Sequence, residues 1–165
     1  MMLRPELSSD IDIIGKLTRA AFKDMPFSNQ TEAAIIDALR TENALFLSLV
    51  AIENEKIIGH IAFSPVSIND NQDGWYGLGP VSVWPELQGK GIGQALIIDG
   101  LQRLKDQGAK GCVLLGSPDY YKRFDFVCDP DLRFEGAPAE YFQRLVFVPP
   151  APKGVVRYHD AFGAS

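Results

Sequence analysis

Between an apolar run, Leu78 to Trp84, and a helix-like run, Gln94 to Lys105, stands the segment Gln88-Gly89-Lys90-Gly91-Ile92-Gly93. A strand that empties through a glycine-rich turn into a helix leaves several backbone N–H groups unpaired at the helix's positive end. Glycine also lets a phosphate come close to the main chain, so the segment reads as an anion site. It commits the middle of the chain to a strand–loop–helix unit, and the rest must be arranged around that unit.

Upstream, Met2 to Leu7 reads as a short strand. Ser8-Ser9-Asp10 offers helix caps before Ile11, Ile14, Leu17 and Ala21, which recur at helical spacing. That helix should end before Pro26. Asn29 and Glu32 have capping-box spacing ahead of a second helix with Ile35, Ile36 and Leu39 on its apolar face. The intervening Lys23 to Ser28 loop is of the kind that lines substrate pockets. Leu45 to Ile52 and Ile57 to Ile68 then form a hairpin across Glu53-Asn54-Glu55-Lys56. The next strand, Trp75 to Trp84, contains Gly77 and Gly79-Pro80. Both are poor residues for a continuous ladder, so a local break is expected that frees main-chain groups near Val81-Ser82-Val83.

Downstream, Ile92, Leu96, Ile97, Leu101 and Leu104 mark the buried face of the helix, which closes at Gln107-Gly108. Gly111 to Gly116 is the following strand. Ser117-Pro118-Asp119 opens a short helix carrying Tyr120 to Phe124, and Phe124 to Val127 runs into another strand. Tyr141 to Val148 reads as a last long strand, long enough to pair across a homodimer, and Pro149-Pro150 ends it. Val155, Val156 and Tyr158 can pack, but pattern alone does not place them.

Length and composition bound the function. The 165 residues suit one domain spanning 1–165, with 46% hydrophobic and 22% charged residues. No apolar run nears the roughly 20 residues that span a bilayer. The N-terminus lacks a signal-peptide layout, so a cytoplasmic protein without a membrane partner is expected. A net charge of -5 with no basic block argues against nucleic acid and is compatible with a cationic substrate. Cys112 and Cys128 have no metal-ligand spacing, so no metal is expected, and Cys112 in an apolar run reads as a buried thiol.

Three phosphate-binding patterns compete for the glycine segment. A P-loop requires Lys-Ser/Thr after its last glycine, whereas Gln94 follows Gly93. A dinucleotide fingerprint requires Gly-x-Gly-x-x-Gly in a βαβ unit, whereas the spacing here is Gly89-x-Gly91-x-Gly93 after antiparallel hairpins. The third pattern, Gln-x-x-Gly-x-Gly, is met by Gln88, Gly91 and Gly93. The stretch Leu78 to Leu96 that contains it resembles the acetyl-CoA signature of the GNAT superfamily of N-acetyltransferases. Tyr120-Tyr121-Lys122-Arg123-Phe124-Asp125-Phe126 is similar to that superfamily's second motif. The Leu78-Gly79-Pro80 strand and the Tyr-Tyr-x-Arg-Phe segment are closest to its YhbS-like branch.

The resemblance covers nearly the whole chain and implies the α/β GNAT fold, a mixed, mostly antiparallel, splayed sheet flanked by helices. It implies acetyl-CoA as cofactor, and transfer of acetyl to a primary amine of a small molecule or peptide by direct attack. The main chain of Val81 and Val83, with Ser82 between them, would pair with the pantetheine arm. Backbone N–H groups of Gln88, Gly89, Lys90, Gly91, Ile92 and Gly93, with Gln94, would meet the pyrophosphate. Lys90 either adds charge there or is a solvated side chain, and Ser117 is either a cofactor contact or a helix cap. Tyr121 aligns with the family's general acid, a phenol able to protonate a leaving thiolate. Oxyanion stabilisation would come from backbone N–H near the strand break, at Val83. Two departures stand out. Asp125 replaces the usual glycine, and Trp75 to Trp84 holds no carboxylate to serve as base. Water, His60 or Glu32 remain as alternatives for that base. The rival reading from a different class is a non-catalytic CoA-binding sensor.

Overall fold

A computed structural model describes residues 1–165. Strand β1 (Met2–Pro5) leads through a 3₁₀ turn at Ser8–Asp10 into α1 (Ile11–Phe22), and α2 (Glu32–Thr41) follows. The Asp10 carboxylate accepts the Leu7 N–H at 2.7 Å and pairs with Arg4 at 2.7 Å, locking the entry to α1. Expectation and structure differ at α2. Thr31 occupies its N-cap, and no Asn29–Glu32 capping box forms. Instead Ser28 Oγ lies 2.8 Å from both Glu32 carboxylate oxygens. Packing of Ile35, Ile36 and Leu39 sets the register of this helix, and it overrides the local capping pattern.

The hairpin forms as expected. β2 (Leu47–Glu53) and β3 (Lys56–Pro65) pair antiparallel around Asn54 and Glu55, both at positive φ. After a two-residue β4 (Ser67–Ile68) comes β5 (Trp75–Val83), then α3 (Ile92–Asp106), β6 (Gly111–Leu115) and the single-turn α4 (Pro118–Tyr121). The main sheet is completed by β8 (Phe142–Val146), giving the order β1-β2-β3-β5-β6-β8. Only the β5–β6 pair in it is parallel. On one face α3 buries Leu96, Ile97, Leu101 and Leu104 against Leu49, Ile61 and Phe63. Each such side chain contributes about 1.5–3 kcal/mol in burial. On the other face α1 and α2 place Ile14 and Ile36 against Val50 and Ala62.

The C-terminal third departs from the sequence reading. Phe124 to Val127 is not a strand, and only Val127 bridges to Arg144. The long strand is shorter, because Tyr141 lies in a 3₁₀ turn and pairing stops at Val146. The tail forms β9 (Gly154–Arg157), which lies between β4 and β7 (Leu132–Arg133) in a second, three-stranded sheet. Ile68, read as the end of the hairpin strand, belongs to this second sheet. No helix is long and apolar enough to cross a membrane.

Candidate functional site

β5 is bonded to β6 only from Trp75 to Gly77, against Gly111 to Val113. Past that point the two strands separate. On its other edge β5 stays paired to β3, with a register shift between Ile61 and Phe63 opposite the Gly79-Pro80 segment. His60 faces Ser82 in this register, and Trp84 N–H donates to Ile58 O. Antiparallel alternation then aims the main-chain groups of Ser82 and Trp84 at β3, and those of Val81 and Val83 at the edge that β6 has left. The Gly79-Pro80 break and the strand split thus expose two residues' worth of peptide groups in a cleft. Gln88 Nε2 donates to Val83 O at 3.1 Å and ties the glycine loop to this edge.

The loop opens α3 with Gly91 as its N-cap, at φ 85°, ψ 5°. Gly89 stands at φ 78°, and a Cβ added at either glycine would meet nothing within 4 Å. The left-handed backbone needs glycine for its conformation, and the empty space above it leaves the helix's first N–H groups accessible. A cavity of about 400 Å³ lies over it, lined by Val83, Leu87, Gln88, Gly89, Gly91, Ile92, Gly93 and Gln94. Tyr120 and Arg123 form the facing wall. The Arg123 guanidinium stacks 4.4 Å from the Tyr120 ring centre, and its Nε donates to Tyr120 O at 2.8 Å. A fixed cation therefore lines the same cavity as the helix's first N–H groups. The sequence motif alone gives Arg123 no role; its signal is an arginine three residues after Tyr120.

A second cavity, of about 510 Å³, lies at the β5 break and contains Leu78, Pro80, Val81, Leu115, Gly116 and Tyr121. Tyr121 lines this cavity and Tyr120 the first, so the two adjacent tyrosines serve different walls. Gly116 makes this placement possible, because a Cβ there would collide with the Tyr121 ring. Tyr120 and Phe126 pack edge-on against the ring at 4.9 and 6.1 Å. Burial, with a smaller contribution from neighbouring Tyr120, pushes the Tyr121 hydroxyl up to about 12. It therefore remains a proton donor across the ordinary pH range.

Other sequence-selected residues lie elsewhere. Ser82 is buried, and its hydroxyl sits 3.4 Å from Thr18 Oγ1 on the α1 face, away from the cleft. Strand alternation turns its side chain from the edge that Val81 and Val83 present. Lys90 is exposed and lines neither cavity. Ser117 caps α4 through its carbonyl, which accepts from Tyr120 and Tyr121 N–H, and its side chain makes no cap bond. His60 is wholly buried, with Nε2 2.7 Å from Ser48 Oγ in a chain that continues to Glu6 and Arg40. Burial holds its imidazole down to about 4. It belongs to the core beneath α1 and α2, not to the cleft. Cys112 is also buried, which pushes its thiol up, while Cys128 is exposed.

The fold recurs in known proteins. The family model for the acetyltransferase (GNAT) domain matches residues 3–128. The chain is 34% identical to the N-acetyltransferase YhbS of Escherichia coli K12, over 98% of both chains. A crystal structure of a GNAT family acetyltransferase from Brucella melitensis in complex with acetyl-CoA superposes with a TM-score of 0.89 at 50% identity. That match covers 98% of this chain and 97% of the other. Escherichia coli YhbS in complex with CoA gives a TM-score of 0.87 at 31% identity, over 98% and 91% of the two chains. With the split β5–β6 pair, the glycine cradle on α3 and a domain match over most of its length, this chain belongs to the GNAT acetyltransferase family.

Proposed function

We propose that the protein transfers an acetyl group from acetyl-CoA to a primary amine, with Tyr121 as general acid. The observation that carries this reading is the arrangement of three features about one strand edge: the glycine loop of α3 in the cavity that Val83 lines, the unpaired β5 edge from Val81 to Val83, and Tyr121 in the cavity that Val81 lines. The residues fit the cofactor. Gly89 and Gly91 leave open space for a pyrophosphate at the α3 N–H groups, Arg123 adds a fixed cation, and Val81 and Val83 offer peptide groups to an amide-bearing arm. Both relatives that supplied the structural matches were crystallised with acetyl-CoA or CoA.

Acetyl-CoA supplies an activated thioester, in which a new C–N bond to the amine replaces the C–S bond as the thiolate departs. Tyr121 gives its proton to that sulfur, the nitrogen releases a proton to water, and the phenol takes a proton back from water, so amide, free thiol and neutral Tyr121 are the products. The outward-facing N–H of Val83 supports the developing oxyanion. A phenol held near 12 neither ionises early nor limits the rate on the alkaline side. The pH profile of kcat/KM should therefore rise with the neutral amine fraction and show no decline up to about pH 10.

Tyr121→Phe tests the assignment. We expect kcat to fall roughly 100-fold or more while the Kd for acetyl-CoA stays within about twofold. Unchanged turnover would remove Tyr121 from the chemistry. Tight acetyl-CoA binding without turnover of any amine would identify a CoA-binding module instead.

A further inference from the structure

We infer that the acceptor is a primary amine with a single positive charge on an aromatic or bulky apolar body that carries no carboxylate. This inference rests on the acetyl-transfer reading and narrows it. The cavity at the β5 break extends away from the glycine loop, and its far walls come from three distant parts of the chain. Phe22 and Phe27 enter from the end of α1 and the loop beyond it. Phe134, Tyr158 and Phe162 enter from the C-terminal third. Phe134, Tyr158 and Phe162 pack on one another, whereas Phe27 is exposed. Tyr158 meets Phe134 edge-on at 5.1 Å and Phe162 at 5.0 Å, and its own ring lies over Gly77, where a Cβ would approach within 2.7 Å.

Among the lining residues Glu32 is the only charged one. Its carboxylate is fixed by Ser28 Oγ, at 2.8 Å from both oxygens, in the first turn of α2. One anion among ring faces draws in one ammonium, which also gains from the aromatic quadrupoles, and the nitrogen gives its proton to water before it attacks the thioester. A second ammonium would be desolvated without a partner, which is costly. A substrate carboxylate would meet Glu32 and no cation. The volume, about 510 Å³, is shared with the acetyl end of the donor and leaves space for a body of one or two rings.

The test uses the full chain with phenethylamine, phenylalanine and spermidine, which separate the apolar body from the added carboxylate and the added ammoniums. We expect kcat/KM for phenethylamine to exceed both others by at least about tenfold. Glu32→Gln should lower it by a similar factor, chiefly through KM, with acetyl-CoA affinity unchanged. Phe27→Ala, at a position 84% exposed and so without cost to the fold, should raise KM for phenethylamine several-fold. Spermidine or phenylalanine turned over as well as phenethylamine would overturn the inference, as would unchanged KM in both variants. If acetyl-CoA binds but no amine reacts, calorimetric titration of the CoA complex decides: phenethylamine binding tighter than the other two supports the inference, and equal or weaker binding overturns it. Failure to bind acetyl-CoA would instead sink the acetyl-transfer reading itself.

Discussion

Asp125 stands where the family pattern has glycine, and the structure explains how it is tolerated. It ends the Lys122–Phe124 turn at φ 71°, ψ 18°, in the left-handed region. Aspartate enters that region more easily than most residues, so the turn that directs Phe126 into the core is kept. Asp125→Gly should hold or raise stability by up to about 1 kcal/mol. Asp125→Val should lower it by about 1–2 kcal/mol. Urea denaturation of the two variants checks this, and equal midpoints would show that the turn does not constrain folding. Gly116 makes the complementary argument at the same site. There a missing side chain, not a permissive backbone, seats the Tyr121 ring.

The decisive element is α3 with the loop that feeds it. Its far end is neutralised by Arg103 and Lys105, so its charge asymmetry is expressed at the glycine end, where no acidic residue sits in the first turn. Gly91→Val would force a β-branched residue to φ 85° and narrow the approach to the first N–H groups. We expect at least about a tenfold rise in the Kd for CoA, with a stability loss of about 1–2 kcal/mol. Isothermal titration measures the first and thermal melting the second. An unchanged Kd would mean that the cradle does not hold the phosphates. β5 acts as the partner element. Because it keeps β3 while losing β6, it presents peptide groups without fraying.

Across the whole molecule the two faces of the main sheet carry different loads. The α3 face and the split edge carry the glycine loop and its cavity, while the α1–α2 side holds the polar chain Arg40–Glu6–Ser48–His60 and, at its edge, lends Phe22, Glu32 and Ile35 to the second cavity. Burial alone would raise the Glu6 carboxyl, yet its bonds from Arg40 and Ser48 outweigh that and hold it low. Burial disfavours the charged imidazole of His60, so its folded value is about 4 against 6.5 in an open chain. Between these values the unfolded chain binds the proton and the folded one does not. The contribution is therefore fully present above about pH 6.5 and is lost as pH falls to about 4, amounting to roughly 3 kcal/mol. Denaturation at stepped pH should show this slope in the native protein and its absence in His60→Gln. A slope persisting in the variant would assign acid sensitivity to other groups.

The glycine loop, the α3 face, the β2–β3 hairpin and the break at Gly79-Pro80 were legible in the amino-acid sequence because each rests on short-range rules: glycine spacing, helical period, strand length and a missing donor. Family resemblance rests on the same contiguous motifs. What lay beyond reach depends on contacts between distant residues. The second sheet requires Ser67 and Ile68 to find Val156 and Arg157, a pairing that no local pattern announces. Ser82 faces away from the cleft because the β3 register puts it opposite His60, and a one-residue slip would have reversed that face. The division of labour between Tyr120 and Tyr121 was settled by helix rotation against Gly116, and the aromatic cavity by bringing Phe22, Glu32, Tyr121 and Phe162 together. The sequence by itself determined the glycine-rich entry to α3 and the family, since those are written in neighbouring residues. Only the tertiary structure decided the shape and charge of the aromatic cavity proposed for the acceptor, because long-range packing alone brings its walls into contact.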